Sequence, residues 1–251
     1  MSNAVKVLLS MLLTTLLGAC AVTEVAVEPK SVKSSQINVE LGVTYMKEGK
    51  YNTAMDRLQK AIAQNPANPQ AYSSMALLNM RLSQVDEAEK NFNKAIKLSP
   101  NDSAIRNNYG AYLCQQSRFQ EAEEQFLTAT KNPLYRSPEH ALMNAGKCTK
   151  DKVKAEKYFR ASLRKNPKFP GALIEMAKLS FKNKQYLSAR AYLQRFHDVN
   201  EPTASSLWTS VKVENFLGDA DTMNSHALLL KQKYPDSEET RQYFEWVSNG
   251  R

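Results

Sequence analysis

Tyr109-Gly110-Ala111-Tyr112-Leu113-Cys114, followed by Ala122, Phe126, Ala129 and Pro133, is one copy of a pattern that recurs along most of the chain. The preceding copy reads Met75-Ala76, then Ala88, Phe92, Ala95 and Pro100; the one before it reads Leu41-Gly42, then Tyr45, Ala54, Leu58, Ala61 and Pro66. The prolines at 66, 100 and 133 set a period close to 34 residues, and each period holds two helical stripes. The first stripe carries a large residue and then a small one. The second carries Ala-x-x-x-Leu/Phe-x-x-Ala and is ended by Asn-Pro or Ser-Pro. Gly or Ala at a helix crossing lets two backbones approach, and the Phe or Leu of the second stripe fills the space beside it. One such hairpin cannot bury its apolar side alone, so successive hairpins must stack.

This spacing is that of tetratricopeptide repeats, and it predicts an all-α superhelix, a solenoid with a concave wall. Six copies span about 35–68, 69–102, 103–136, 139–169, 170–203 and 204–237, with a capping helix over 238–249, so 35–251 is one repeat domain. With 251 residues and only 8 Gly and 10 Pro, most of the Pro at repeat ends, one array fits better than two compact domains. The first helix is expected to start after Ser34 or Ser35, with Gly49 in the left-handed position of the following turn. Copy four is irregular: Gly146 lies nine residues before Ala155, whereas Gly110 lies twelve before Ala122. Three residues are therefore expected to be missing from the turn around Thr149 to Lys152, with a shortened first helix and a local kink. Asn132 to Pro138 is a longer connection just ahead of it. Asp236 or Ser237 is placed to cap the last helix, with Phe244 and Val247 expected inward and Glu238, Glu239 and Arg241 outward.

The N-terminus has a different character. Lys6 precedes an apolar run from Val7 to Leu17, too short to span a bilayer, and Leu17-Gly18-Ala19-Cys20 follows. Residues 1–19 read as a signal peptide whose end resembles the bacterial lipobox, which implies cleavage before Cys20 and acylation of that residue. Three acyl chains, at about 0.8 kcal/mol per buried CH₂, would anchor the protein permanently. Position 21 is Ala rather than the Asp that resembles an inner-membrane retention signal, so an outer-membrane location facing the periplasm is expected. Residues 20–34 lack a helical stripe and read as a lipidated flexible tether, although the Val-rich run could also pair as a strand with a partner.

The net charge of +9 comes from Lys and Arg dispersed among acidic residues on polar helix faces, as in Asp86-Glu87-Ala88-Glu89-Lys90. Without alternation of basic and aromatic residues this argues against a nucleic-acid partner. Cys114 and Cys148 fall late in the first helices of adjacent copies, at nearly matching heights; they are either a disulfide closing a loop of 34 residues or two small unbonded core thiols. His140, His197 and His226 lie in different copies with no partner at i+4, which disfavours a metal site. Glu123-Glu124 falls on a solvated face, and no phosphate loop or nucleophile elbow is present. A non-enzymatic protein without cofactor, metal or small-molecule substrate is the expectation.

What remains is a binding groove lined by the first helices. Its wall is expected from Val39, Val43 and Met46 in copy one and Ser73, Leu77 and Met80 in copy two. It turns polar through Asn107, Ala111, Met143 and Lys147, and mixed through Ile174, Lys178, Phe181, Trp208 and Lys212. An apolar groove of Val39, Val43, Met46, Leu77 and Met80 suits an amphipathic helix or an extended peptide, although Met46 and Met80 could instead cover the core. Val39 stands where a carboxylate-clamping Lys would be needed.

From the lipobox through six copies to the last helix, the sequence resembles the type IV pilus biogenesis and stability lipoproteins, the PilF/PilW family of secretin pilotins. The most specific parts are Asn107-Asn108-Tyr109-Gly110-Ala111-Tyr112-Leu113-Cys114, Asn144-Ala145-Gly146-Lys147-Cys148, and Leu207-Trp208 with Leu217-Gly218-Asp219. The resemblance implies an outer-membrane lipoprotein that escorts or assembles the secretin subunits of the pilus pore, with the groove as docking surface. The alternative class is a tetratricopeptide lipoprotein adaptor for cell-envelope hydrolases or outer-membrane protein assembly.

Overall fold

The computed structural model describes residues 29–250, and the described residues form thirteen α-helices and no strand. Six hairpins follow one another: α1 (Pro29–Lys47) with α2 (Tyr51–Gln64), α3 (Pro69–Arg81) with α4 (Val85–Leu98), and α5 (Ser103–Gln115) with α6 (Phe119–Lys131). Then come α7 (Pro138–Cys148) with α8 (Lys152–Lys165), α9 (Pro170–Lys182) with α10 (Tyr186–His197), and α11 (Ala204–Leu217) with α12 (Ala220–Lys233); α13 (Glu238–Ser248) closes the stack. No described helix is long and apolar enough to cross a membrane.

Local chemistry sets where the helices begin. The Asn68 side chain accepts from Gln70 N and Ala71 N ahead of Pro69, and Asp102 does the same for Ala104 N and Ile105 N. Thr203 and Ser206 form a reciprocal capping box on α11. Five of the six hairpin turns contain a residue of positive φ: Gly49, Ser83, Ser117, Lys184 and Gly218, between 58° and 76°. The left-handed residue turns the chain back on itself within three residues or fewer.

Packing then generates the curvature. In hairpins one, three and four the two helices cross at a glycine: a methyl built on Gly42 would lie 2.7 Å from Leu58, one on Gly110 2.7 Å from the Phe126 ring, and one on Gly146 2.5 Å from Phe159. Between hairpins, α1 packs on α3, α3 on α5, α5 on α7 and α9 on α11, while the backbones of consecutive second helices keep farther apart and meet through long side chains such as Tyr158 and Lys154 on Glu123. Close contact on one side only bends the stack, so the row of first helices forms the concave wall.

Hairpin four has the expected shortened first helix, but not the expected deletion in its turn. Its turn, Thr149 to Asp151, has the same three residues as the turns at 48–50, 82–84 and 116–118. The missing residues come from the end of α7, which continues only to Cys148 after Gly146, whereas α5 continues to Gln115 after Gly110. Ending early, the chain needs no left-handed residue. Thr149 is extended, its hydroxyl accepts from Asp151 N (3.2 Å), and the Asp151 carboxylate caps α8 by accepting from Val153 N (2.8 Å) and Lys154 N (3.2 Å). The row of first-helix contacts thins between α7 and α9, where Met143 still reaches Gly171, and the long connection 132–137 precedes α7.

Both ends of the array correct the sequence reading. The expected tether does not reach residue 34, because α1 begins at Pro29. Ser35, expected as a cap, is buried inside α1, donates to the Ala61 carbonyl (2.7 Å) and accepts from Asn68 Nδ2 (2.8 Å). These polar bonds to α2 and to the cap of α3 hold a turn of helix that no apolar stripe announces. Residues 1–28, with the expected signal peptide and Cys20, lie outside the described residues.

In α13 the inward residues are Tyr243 and Trp246, packed edge-on against Trp208, while Phe244 is 56 % exposed and Val247 is exposed too. Ser237 caps the helix by accepting from Thr240 N, and the packing of Tyr243 and Trp246 on Trp208 sets which face turns inward. Tyr243→Ala should therefore cost about 2–4 kcal/mol and Phe244→Ser no more than about 0.5 kcal/mol in urea denaturation. The opposite ranking would restore Phe244 as the inward residue.

Candidate functional site

On the concave wall of the first hairpins, burial sorts the expected groove residues. Val39 is 5 % exposed and packs against Ala61 and Ala71, so it belongs to the core rather than to the wall. It sits where α1 is clamped between α2 and α3, and its short branched side chain fills that gap. Met46 is equally buried, against Leu58, Met75 and Leu78, but one edge of it lines a pocket of about 360 Å³ with Leu77, Met80, Arg81 and Gln115. Val43 is half-buried between the two clusters. Leu77 and Met80 are half-buried and are the principal apolar side chains of the wall, with Arg81 at the rim. The apolar surface is thus a short pocket spanning α1, α3 and the end of α5, rather than a continuous groove.

Beside it, Cys114 and Cys148 are joined by a disulfide between α5 and α7, with Cα atoms 5.7 Å apart. Under the pocket lies an aromatic core in which Phe92 packs on Tyr109 (5.4 Å) and Tyr112 (5.5 Å). Tyr109 donates to Glu89 (3.2 Å), and burial, with the Glu89 charge second, pushes its phenol up to about 12. Arg118 bridges Glu89 and Glu121, tying the turn after α5 to α4.

Glu123 is no freely solvated carboxylate. Tyr158 and Lys154 donate to it, the hydroxyl first and the ammonium next, and they hold it below the usual carboxylate range. Its loss of water is compensated by these bonds across α6 and α8, a structural role.

Farther along, the wall changes sign. The residue after the crossing position, which is Gly or Ala in hairpins one to five and Val211 in hairpin six, is Val43, Leu77 and Ala111 in hairpins one to three, and Lys147, Lys178 and Lys212 in hairpins four to six. Lys212 Nζ lies over the rings of Trp208 (4.9 Å) and Phe181 (5.3 Å). Burial, and then the Lys178 charge, lower its pKa. Trp208, expected on the wall, is 7 % exposed; its indole donates to Gln242 Oε1 (2.9 Å) and its rings belong to the cap core. Phe181 stays half-exposed beside the stacked pair Tyr186 and Phe216 (4.6 Å).

On the opposite side, between α10, α11 and α12, the fold brings together two of the histidines that the sequence kept apart. The His197 and His226 rings are 5.7 Å apart in a pocket of about 110 Å³ that also holds Arg190, Glu214 and Asp219. Glu214, 3 % exposed, is bound by the Arg190 guanidinium, and His197 Nε2 shares a hydrogen bond with Ser206 (3.1 Å). The two histidines occupy different positions of their repeats, so a search for i, i+4 pairs misses them; only the stacking of α12 on α11 and α10 makes them neighbours. No three of the described His, Cys, Asp and Glu residues are grouped to hold a metal ion. His140 packs on Phe169, 4.5 Å away.

Among known proteins, the tetratricopeptide-repeat profiles match residues 42–83, 69–102 and 91–124. The type IV pilus assembly protein PilF of Pseudomonas aeruginosa is 30% identical over 208 residues, covering 82% of this chain and 82% of that protein. The structure from the functional characterization of Pseudomonas aeruginosa PilF superposes with a TM-score of 0.75 at 28% identity, covering 86% of this chain and 99% of that one. The crystal structure of PilW, described as a widely conserved type IV pilus biogenesis factor, gives 0.74 at 29%, covering 84% and 98%.

Two outcomes follow from the site. Cys114→Ser with Cys148→Ser should lower stability by about 3–4 kcal/mol relative to the oxidised wild type in urea denaturation, the loop-closure value for a sequence separation of 34, while the reduced wild type should fall to the level of the variant. Burial, then mutual repulsion at His197, keeps both imidazole pKa values below 6.5, with Asp198 beside His197 and Glu214 and Asp219 beside His226 opposing the shift. As pH falls through about 6.5 the unfolded chain takes up these protons before the folded one, so stability is full above that value and is lost on acidification. Between about pH 7 and 5.5, above the carboxylate range, the Tm should fall less in a His197→Gln/His226→Gln protein than in wild type; parallel curves would refute the assignment.

Proposed function

Since this chain belongs to the PilF/PilW family of tetratricopeptide-repeat proteins of type IV pilus biogenesis, we propose that it is a non-catalytic assembly factor for the pilus secretin. In this reading it is an outer-membrane lipoprotein, anchored through acyl chains on Cys20 and facing the periplasm, and its partners are secretin subunits. Docking takes place at the apolar pocket of the first hairpins.

The observation that carries the reading is the placement of Leu77, Met80 and the edge of Met46 on the concave wall, with Arg81 and Gln115 around them. A pocket of about 360 Å³ holds one or two apolar side chains of a segment whose backbone is satisfied by the polar rim. Delivery to the outer membrane then needs no chemistry. The lipid supplies the destination and the wall supplies the cargo site, so each subunit bound is carried to the same surface.

Removal of the protein from its host should abolish secretin multimers and surface pili, and Leu77→Asp/Met80→Asp should reproduce the defect while the protein remains folded and membrane-bound. A photocrosslinker at Met80 should capture a secretin chain. Capture of an envelope hydrolase or of outer-membrane insertion machinery, with secretin multimers unaffected, would replace this function by the adaptor one.

A further inference from the structure

We propose that the wall of hairpins four to six is a second docking site, which takes an extended acidic segment of a protein partner, its carboxylates along Lys147, Lys178 and Lys212. This goes beyond the secretin reading and does not depend on which protein fills the apolar pocket.

Three observations carry it. The lysines occupy the equivalent wall position of three consecutive hairpins, so the stacking of the repeats itself aligns them in a row. None of the three is ion-paired, although the chain has ten ion pairs elsewhere among its described residues. Lys212 rests on aromatic faces instead, close enough to Lys178 to be repelled by it. Three or more ammonium groups with Glu175 as the one carboxylate lining their opening leave an excess of positive charge that a bound anion relieves. Finally, the missing last turn of α7 leaves an opening of about 280 Å³ against α9, lined by Lys147, Lys178 and Lys182, with Phe159 on its floor.

The surroundings favour a peptide over other polyanions. Glu175 lines the same opening, which disfavours continuous phosphate charge and is tolerated by a segment that alternates carboxylates with other side chains. The Phe181 and Trp208 rings beneath Lys212 are covered by its ammonium, and Tyr186 and Phe216 are stacked on each other, so the usual platform for nucleic-acid bases is occupied. A flat bilayer does not reach a row on a concave wall. An extended chain does, with apolar side chains directed to the half-exposed Phe181.

The test uses the full chain purified in detergent and a fluorescein-labelled peptide of about twelve residues, alternating Glu and Ser around a central Phe. Anisotropy should report saturable binding that weakens with added salt, and the peptide with Gln in place of Glu should bind at least about tenfold more weakly. Lys147→Gln/Lys178→Gln/Lys212→Gln should lose about tenfold or more of the affinity, while Lys178→Arg and Leu77→Asp/Met80→Asp should each stay within about twofold of wild type. Circular dichroism of the triple variant separates lost binding from lost folding; if it is unfolded, Lys178→Glu alone must weaken the peptide. The proposal is overturned if the Gln peptide binds equally, or if the folded lysine variant retains full affinity. It is overturned as well if only oligothymidylate or phosphatidylglycerol vesicles bind in a lysine-dependent way. Because Leu77 and Met80 are intact in the triple variant, failure here leaves the secretin reading standing, and the converse.

Discussion

The crossing of a small residue under a large one sets everything above it. At Gly110 beneath Phe126 and at Gly146 beneath Phe159, the helices approach so closely that even a methyl group would collide. The hairpin formed this way is thin, and its first helix keeps an uncovered face. Only the next hairpin covers that face, so one local contact, repeated, becomes a stack whose first helices touch and whose second helices spread. Curvature and a concave wall are consequences of this asymmetry.

A wall built by repetition places equivalent residues in a row, and chemistry is written along it with few substitutions. The residue that follows the crossing is apolar or small in the first three hairpins and lysine in the last three. The boundary between the two halves is where the disulfide joins α5 to α7, and where α7 ends early. The constraint and the irregularity coincide: the covalent link holds the hairpin whose first helix no longer packs closely on its successor. A stack with a break of this kind can present two differently shaped surfaces without a second domain.

The ends follow the same logic in reverse. The exposed side of the last hairpin is covered by α13, whose Tyr243 and Trp246 lie edge-on to Trp208, a geometry in which ring edges meet ring faces favourably. At the other end the buried Ser35 hydroxyl accepts from Asn68 Nδ2 and donates to the Ala61 carbonyl, which fixes α1 on α2 and α3. Charged pairs such as Arg190 with Glu214 sit at the seams between hairpins and hold their register.

The period of 34 residues, the apolar stripes and the terminal prolines determined by themselves the fold class, the six hairpins and the general course of the wall, because these depend on neighbours within one turn or one repeat. They also brought Cys114 and Cys148 to matching heights. Tertiary structure alone decided that Val39 and Trp208 are core, that α13 turns Tyr243 rather than Phe244 inward, that the turn after α7 keeps its full length, and that His197 meets His226. Each of these depends on how one hairpin rotates against the next. A shift of a single position on a helix turns a side chain by about 100°, and a stripe with apolar residues on adjacent positions does not say which of them the neighbour will cover.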